Sequence, residues 1–343
     1  MLWGREREWG CIQIIRITNR TIVCGKKYIF ASFLIDFKKT LMEKYNKRQL
    51  DESFLVMFKP SGKFHVITEC VKEDPYLNFE MRGNSVEIYY RGGRILSIGD
   101  NGEINGLDPN YNSGMPIPQP DINNITDYFF RAKSIIDKYE YTVKEHLGEK
   151  EIQQRIVYEN NLSVNAHDTD YFIADTEWQN DDLGGRADIV AFRWFRPGRH
   201  RVQVVQLTLI EVKQGDNAIS GKCGLVKHYS DFKNLKDNAE LINEFGKDML
   251  KVLTQKQEIG LVKGLDKYFE NGKLPRIYEE VDFVFLLANY HHYSSKLLQE
   301  IQKLPEESKF FVSSFMGYGL YHQFVKTKEE IMKLFPFVFN DKA

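Results

Sequence analysis

The sequence predicts a mixed α/β (α+β) fold, in which a separate β-rich amino-terminal domain precedes a core with the order helix, three strands, helix, strand. Two observations carry this prediction. Short apolar runs separated by turn-forming residues fill most of the first hundred positions, which is typical of strands. From Ile125 onward the apolar residues Ile135, Ile136, Ile152 and Ile156 recur at helical spacing, before longer apolar strands begin.

The amino-terminal part contains one predicted helix, around residues 33–45, among strands that are predicted at IQIIRI, TIVC, FLVMF, FHVITEC, SVEIYY and RILSI. The segments KPSGK and RGG are predicted turns. Residues 107–124 contain four prolines and no periodic apolar pattern, which indicates a linker. The predicted domains are therefore residues 1–106 and 125–343.

The carboxy-terminal part has predicted elements in a regular order. After a helix that ends near residue 160 come the strands YFIADTEW, RADIVAFRWF and VQVVQLTLIEV, and then a helical stretch over residues 222–257. The strand VDFVFLLANY, the helix SSKLLQEIQKL and the segment FFVSSF follow.

Composition limits the class of protein. Of the 343 residues 42% are hydrophobic, which is enough for a full-sized core. No apolar run approaches the roughly 20 residues of a membrane helix, and the first ten residues lack the apolar stretch of a signal peptide. We therefore expect a soluble, cytoplasmic protein without a membrane partner. The four cysteines (Cys11, Cys24, Cys70 and Cys223) form no CxxC pair, which argues against zinc and against a disulfide framework.

Charge is unevenly distributed along the chain. The formal net charge is −1, so nucleic acid would have to be attracted by a local concentration of basic residues. The stretch 193–236 provides one, because it holds nine Lys or Arg residues against three acidic residues.

The candidate site begins with Glu211-Val212-Lys213, at the end of an apolar strand. Side chains at i and i+2 on a strand lie on the same face, so Glu211 and Lys213 are predicted neighbours. Asp188 lies in the preceding strand, and the midpoint between positions 188 and 211 falls at 199.5, inside the turn-like segment 196–201. A regular hairpin would then place Asp188 directly opposite Glu211.

This combination of side chains suits a hard divalent cation. Two carboxylates can bind Mg²⁺ or Mn²⁺, and a lysine beside them can orient or deprotonate an attacking water. The alternative to a metal site is an ordinary cross-strand ion pair on a solvent-exposed face of the sheet. The other Glu-x-Lys triplet, which begins at Glu307, has no apolar strand before it and provides a control.

The pattern D188-(x)22-E211-V-K213, in this order of elements, resembles the PD-(D/E)xK nuclease superfamily. The resemblance implies a restriction-endonuclease-like αβββαβ core with Asp188 and Glu211 as magnesium ligands and Lys213 at the attacking water. It also implies a further glutamate on the first core helix, for which Glu151 fits best and Glu159 is the fallback. A solvent-facing helix acid is the alternative for Glu151. Two departures from the family pattern are Ala187 in place of proline and the lack of Gln on the helix after the Glu-x-Lys strand.

The predicted function is a metal-dependent nuclease with nucleic acid, first of all DNA, as its partner. The predicted contacts to nucleic acid are Arg199 and Arg201 at the hairpin tip and Lys222 and Lys227 on the following helix; ordinary polar turns and helix faces are the alternative. A homodimer is one option, because nucleases that cut both strands often act in pairs. The alternative function is a catalytically inactive nuclease-fold module that binds nucleic acid or protein.

Overall fold

The structure is a computed structural model that describes residues 15–17, 20–22, 47–112, 114–143, 148–180, 185–194, 199, 203–216, 218–265, 274–313 and 318–335. The chain divides into two compact units, Met1–Asn46 and Lys47–Ala343. In the first unit, strands β1 (Ile15–Ile17) and β2 (Arg20–Ile22) pair antiparallel. The predicted helix at residues 33–45 lies outside the described residues.

The second unit begins with two short helices and an antiparallel sheet. Helix α1 (Glu52–Leu55) continues into a 3₁₀ turn (Val56–Phe58), and helix α2 (His65–Glu73) follows. The sheet has the order β3-β4-β5-β6, with strands at Leu77–Met81, Ser85–Tyr90, Gly93–Gly99 and Ile104–Asn105. Arg91 and Gly92 join β4 to β5 with φ angles of 47° and 85°, which confirms the predicted RGG turn.

Two strands predicted in this region are helical in the structure, and that part of the prediction was wrong. FLVMF forms α1 and its 3₁₀ turn, and FHVITEC lies mostly in α2. In α2 the buried Ile67 and Val71 are four residues apart and share one helix face, so the segment buries apolar side chains at helical spacing. The apolar run was too short for its period to be read from the sequence.

Residues 107–124, the predicted linker, run within the second unit. They contain two 3₁₀ turns, Pro109–Tyr111 and Ile122–Asn124, and lead directly into helix α3 (Ile125–Val143). The division of the chain into compact units therefore falls at Asn46 and not in this segment.

A mixed sheet forms the larger part of the second unit. Its described strands have the order β13-β12-β11-β9-β8-β7, and β10 pairs with the start of β9. The strands are β7 (Tyr171–Asn180), β8 (Gly185–Arg193), β9 (Val204–Gln214), β10 (Arg276–Ile277), β11 (Asp282–Ala288), β12 (Lys309–Ser313) and β13 (Lys326–Thr327). Strands β7, β8 and β9 are antiparallel neighbours, whereas β11 is parallel to both β9 and β12.

The helices of this part lie before and after the three antiparallel strands. They are α4 (Gly148–Val157), α5 (Leu225–Lys236), α6 (Ala239–Glu258), α7 (Ser295–Gln302) and α8 (Lys328–Met332). The predicted order helix, three strands, helix, strand and the mixed α/β class are therefore confirmed, and the second unit contains two sheets.

Helices pack on both faces of the mixed sheet. Ile152 of α4 belongs to a buried apolar cluster with Ile210 and Val284. Phe283, which precedes Val284 in β11, stacks on Phe232 of α5, with ring centroids 4.6 Å apart. Because consecutive strand residues point to opposite faces, α4 and α5 cover opposite sides of the sheet. The end of β9 therefore lies between them.

Irregular backbone adapts α4 and β7 to each other. A π-helical turn (Tyr158–Leu162) extends α4, and the side chain of Asn161 exchanges two hydrogen bonds of 2.8 and 2.9 Å with the backbone of Ile173 in β7. The register of β7 against β8 shifts directly after Ile173. This β-bulge changes which residues of β7 oppose the start of β8, where the candidate site lies.

No helix in the described part of the chain is long and apolar enough to cross a membrane.

Candidate functional site

The centre of the site is the end of β9. Glu211 and Lys213 point to the same face, and the Lys213 Nζ donates to the Glu211 Oε1 over 2.6 Å. Their side chains are only 2% and 4% exposed. A buried carboxylate and ammonium cost free energy to desolvate, and this cost is offset only by close pairing. The Glu-x-Lys motif therefore forms a buried ion pair and not a solvent-exposed cross-strand pair.

Asp188 reaches the same place from β8. The observed register pairs Ile189 with Ile210, and continuing it by one step sets position 188 opposite 211, as the hairpin argument predicts. The pairing of β8 with β9 ends at Ile189 and Ile210. The Asp188 Oδ2 then accepts the backbone N–H of Val212 over 2.7 Å, which holds the carboxylate beside β9.

Helix α4 brings a third acid, which is Glu149 and not the predicted Glu151. The Glu149 Oε1 lies 3.8 Å from the Lys213 Nζ. Glu151 instead forms ion pairs with Arg91 at 3.2 Å and Arg155 at 2.5 Å. Residues i and i+2 of a helix point to different sides, so only one of the two acids can face β9.

The fallback residue, Glu159, lies in the π-helical turn that follows α4. Its position in the sequence made it a candidate, but the helix end that meets the end of β9 is the amino-terminal one. There a Cβ on Gly148 would come within 2.1 Å of the Gln214 side chain, which shows how closely the first turn of α4 approaches β9.

Helix α5 provides His228, which the sequence offered only as one of several polar residues on this helix. Its Nε2 lies 3.0 Å from the Glu211 Oε1, and the residue is 8% exposed. Leu225, His228, Phe232 and Leu235 form the buried stripe of α5. In the sequence, His228 stands three positions after Leu225, which is the spacing of residues on one helix face. The sequence alone could not show whether the buried face of α5 contains His228 or its neighbour Tyr229.

Strand β7 adds Glu177, which stands in an unusual conformation. Its φ angle is 54°, in the left-handed region that residues other than glycine rarely adopt. The pairs of Thr176 with Ile189 and of Trp178 with Ala187 flank it, so position 177 falls opposite 188. Its Oε1 accepts from the Gln153 Nε2 of α4 over 2.7 Å. A fourth carboxylate is thus tied to α4 at the rim of the site.

The charges of the site change the pKa values of its carboxyl groups in opposite directions. Burial and the nearby Glu211 raise the pKa of Asp188 well above its ordinary value, although Lys213 acts against them. Burial acts to raise the pKa of Glu211 as well, but hydrogen bonds from His228 and Lys213 more than offset it and lower that pKa. Burial and Glu211 together raise the pKa of Glu149. A cation placed among these acids would favour the ionised form of all three.

Two oxygen atoms of the site fit a cation ligand. The Glu211 Oε2 and the Glu149 Oε1 are both buried, and neither has a hydrogen-bond partner. Buried acceptors without partners are rare and costly, and a hard cation would satisfy them. Within the described residues, no three His, Cys, Asp or Glu side chains already form a metal-binding group. In the observed arrangement, the Lys213 Nζ and the His228 Nε2 both lie at the Glu211 Oε1.

The predicted contacts to nucleic acid have different positions. Arg199 is 2% exposed and donates to the backbone oxygens of Trp194 and Thr169, so the prediction that it contacts phosphate is wrong. Its guanidinium also lies over the ring of Phe172. An arginine that satisfies buried carbonyls cannot also reach a ligand in solvent.

The other predicted contacts lie on the surface or outside the described residues. Lys222 and Lys227 are exposed, as expected from their positions off the apolar stripe, and Lys227 is paired with Asp231. Arg201 lies outside the described residues.

The chain was compared with known proteins. No family model matches it, and neither does any curated protein or any solved structure.

Proposed function

We propose that this protein is a divalent-metal-dependent nuclease that hydrolyses phosphodiester bonds, with DNA as the first substrate to test. The single observation that supports this most is the convergence of Asp188, Glu149, Glu211 and Lys213 at the end of β9, with the buried Glu211 Oε2 left without a partner. Carboxylates with a lysine beside them form the donor set that such hydrolysis requires.

In this proposal Asp188, Glu211 and Glu149 hold Mg²⁺ or Mn²⁺. When bound, the metal supplies an activated water and neutralises charge on the scissile phosphate. Burial acts to lower the pKa of Lys213, but Glu211 more than offsets it, so this side chain is an ammonium. It would orient the attacking water by donating a hydrogen bond to the water oxygen. Hydrogen bonds from His228 and Lys213 lower the pKa of Glu211, which favours its ionised form and prepares it as a ligand.

The order of elements supports a specific version of the fold. We propose that α4, β7, β8, β9, α5 with α6, and β11 form a restriction-endonuclease-like αβββαβ core. In that core the site would lie at the start of the second strand and the end of the third, which are the positions of Asp188 and Glu211. The PD-(D/E)xK superfamily is the proposed relationship.

The experiment is a cleavage assay on linear and single-stranded DNA, and on RNA, with Mg²⁺, with Mn²⁺ and with EDTA. We expect divalent-dependent cleavage by the wild-type protein, and its loss in Lys213→Met and Asp188→Asn. Lys333→Met, which breaks only an exposed pair with Glu329, serves as the control and should cleave normally. Retained cleavage in the Lys213 or Asp188 variant would remove the proposed site. Binding of DNA without any cleavage would favour the inactive binding module instead.

A further inference from the structure

The two oxygens of Glu211 have unequal surroundings. The Oε1 lies 2.6 Å from the Lys213 Nζ and 3.0 Å from the His228 Nε2, whereas the Oε2 is buried without a hydrogen-bond partner. A carboxylate can exchange its oxygens by rotating about its last side-chain bond. Two donors on one oxygen prevent this exchange, because rotation would break both hydrogen bonds at once.

The two donors differ in how firmly they are held. Lys213 is on the same strand as Glu211 and carries its charge on a flexible four-carbon chain. His228 is on α5, where Leu225 and Leu235 are buried and Phe232 stacks on Phe283. Phe232 is four positions after His228, so the same helix face that packs on β11 presents the imidazole to Glu211. His228 is thus the more rigid of the two donors.

The proposed function requires Lys213 to serve the attacking water, and Lys213 would then have to leave the Glu211 Oε1. Without another donor, that oxygen would be left buried and unsatisfied, and this would hold the lysine in its ion pair. His228 removes the difficulty, because it keeps the Oε1 satisfied whether or not Lys213 is there.

We propose that His228 is a positioning residue for the metal-binding carboxylate: its Nε2 donates to the Glu211 Oε1, so that Glu211 presents its Oε2 to the cation and Lys213 is released for the water. This inference rests on the proposed function. His228 itself contacts neither the metal nor the substrate.

The test uses the full-length protein and measures two quantities, Mn²⁺ binding by calorimetry and the metal dependence of cleavage. His228→Leu keeps similar volume and removes the donor, whereas His228→Gln places an amide Nε2 at a similar reach. We expect His228→Leu to weaken Mn²⁺ binding by about 10- to 100-fold and to lower kcat, as removal of groups that orient metal ligands does. His228→Gln should restore most of both.

Tyr229→Phe is the matched control, because it alters the next residue of α5 and removes only a 2.9 Å hydrogen bond to Glu307. It should bind Mn²⁺ and cleave as the wild type does. If His228→Leu does not fold, His228→Asn replaces it, because the shorter amide cannot reach Glu211. Thermal unfolding of each variant separates loss of fold from loss of metal.

The possible outcomes separate the inference from the proposed function. Equal Mn²⁺ binding and cleavage by the wild type and His228→Leu overturn the inference alone. Equal impairment of His228→Gln and His228→Leu also overturns the inference, because a hydrogen-bond donor at this position would then not restore Mn²⁺ binding or cleavage. If the wild type binds Mn²⁺ but cleaves no nucleic acid, the proposed nuclease function is overturned, while calorimetry still decides the role of His228. A wild type that does not bind Mn²⁺ overturns both.

Discussion

At the scale of single residues, the site is defined by side chains that lie far apart in the sequence but share buried contacts. Glu149, Asp188, Glu211 and His228 come from four different elements, and each contacts a residue at the end of β9. A change of one residue along a helix or strand would send any of these side chains to another face. The chemistry therefore depends on which residue of each element faces inward.

Glu149 and Glu151 provide a matched pair that tests this dependence. Glu149→Gln should weaken metal-dependent cleavage by about 100-fold or more, since it removes a charge that would bind the cation. Glu151→Gln should leave cleavage close to the wild-type value, because Glu151 is paired with Arg91 and Arg155. Steady-state rates across a Mg²⁺ titration measure both variants. Equal losses in the two variants would contradict the assignment of Glu149.

At the scale of elements, the turn between β4 and β5 packs against the start of α4. Arg91 pairs with Glu151 of α4 and, at 2.7 Å, with Glu140 of α3. A Cβ on Gly92 would lie 2.7 Å from the Lys150 Cβ, which is also in the first turns of α4. The small sheet thereby holds the helix that carries Glu149, which gives that sheet a part in positioning the site.

Gly92→Ala tests this packing, and Gly114→Ala is its control. Both glycines have a left-handed φ, near 85° and 83°, so alanine costs each about 1 kcal/mol in backbone strain. Nothing lies within 4 Å of a Cβ at Gly114, whereas alanine at position 92 must also displace Lys150. We expect the free energy of unfolding to fall by about 2–3 kcal/mol for Gly92→Ala and by about 1 kcal/mol for Gly114→Ala. Urea unfolding measures both, and equal losses would show that the turn does not press on α4.

At the scale of the whole second unit, a buried network of charges joins the two sheets. The Nη1 of Arg82, which directly follows β3 of the small sheet, lies 2.5 Å from the Asp175 Oδ1 of β7, and Arg48 pairs with the other oxygen at 3.3 Å. Beside them, Lys256 of α6 lies 2.8 Å from Glu80 of β3. These pairs cross the predicted domain boundary, which explains in physical terms why residues 47–343 form one compact unit.

Arg82→Ala should destabilise this unit strongly. Asp175 is fully buried, and removing its closest cation leaves a buried charge that Arg48 satisfies only in part. We expect a loss of about 3–5 kcal/mol in the free energy of unfolding. Arg131→Ala breaks an exposed pair with Asp127 and should cost less than about 1 kcal/mol. A small effect of Arg82→Ala in chemical unfolding would mean that the network is not what joins the sheets.

The same network predicts a dependence of stability on pH. Burial acts to raise the pKa of Asp175, but Arg82 and Arg48 more than offset it, so the pKa is lower in the folded protein. A carboxyl group with a lowered folded pKa stabilises the fold above its unfolded pKa of about 3.9, and the stabilisation is lost as pH falls through the folded value. The stability difference between wild type and Asp175→Asn should therefore shrink as pH falls below about 4. Thermal unfolding from pH 6 to pH 3 measures it; a constant difference would contradict the lowered pKa.

Local patterns in the sequence were sufficient for much of this molecule. Long apolar runs fixed the three strands β7, β8 and β9 and their order, because alternation and length are local properties of the chain. The midpoint near position 199.5 predicted the register that pairs Ile189 with Ile210, since hairpin pairing follows from chain symmetry about its turn. The two-residue period of a strand likewise predicted that Glu211 and Lys213 lie on the same face.

Only the tertiary structure decided the remaining features. Short apolar runs such as FHVITEC carry too few residues to distinguish a helix from a strand, so packing chose the helix α2. The choice of Glu149 over Glu151, the burial of Arg199 and the contact of His228 with Glu211 depend on the rotation of each element against its neighbours. Sequence determines which residues an element offers, whereas packing between elements determines which of them meet, because that rotation is set by contacts distant in the chain.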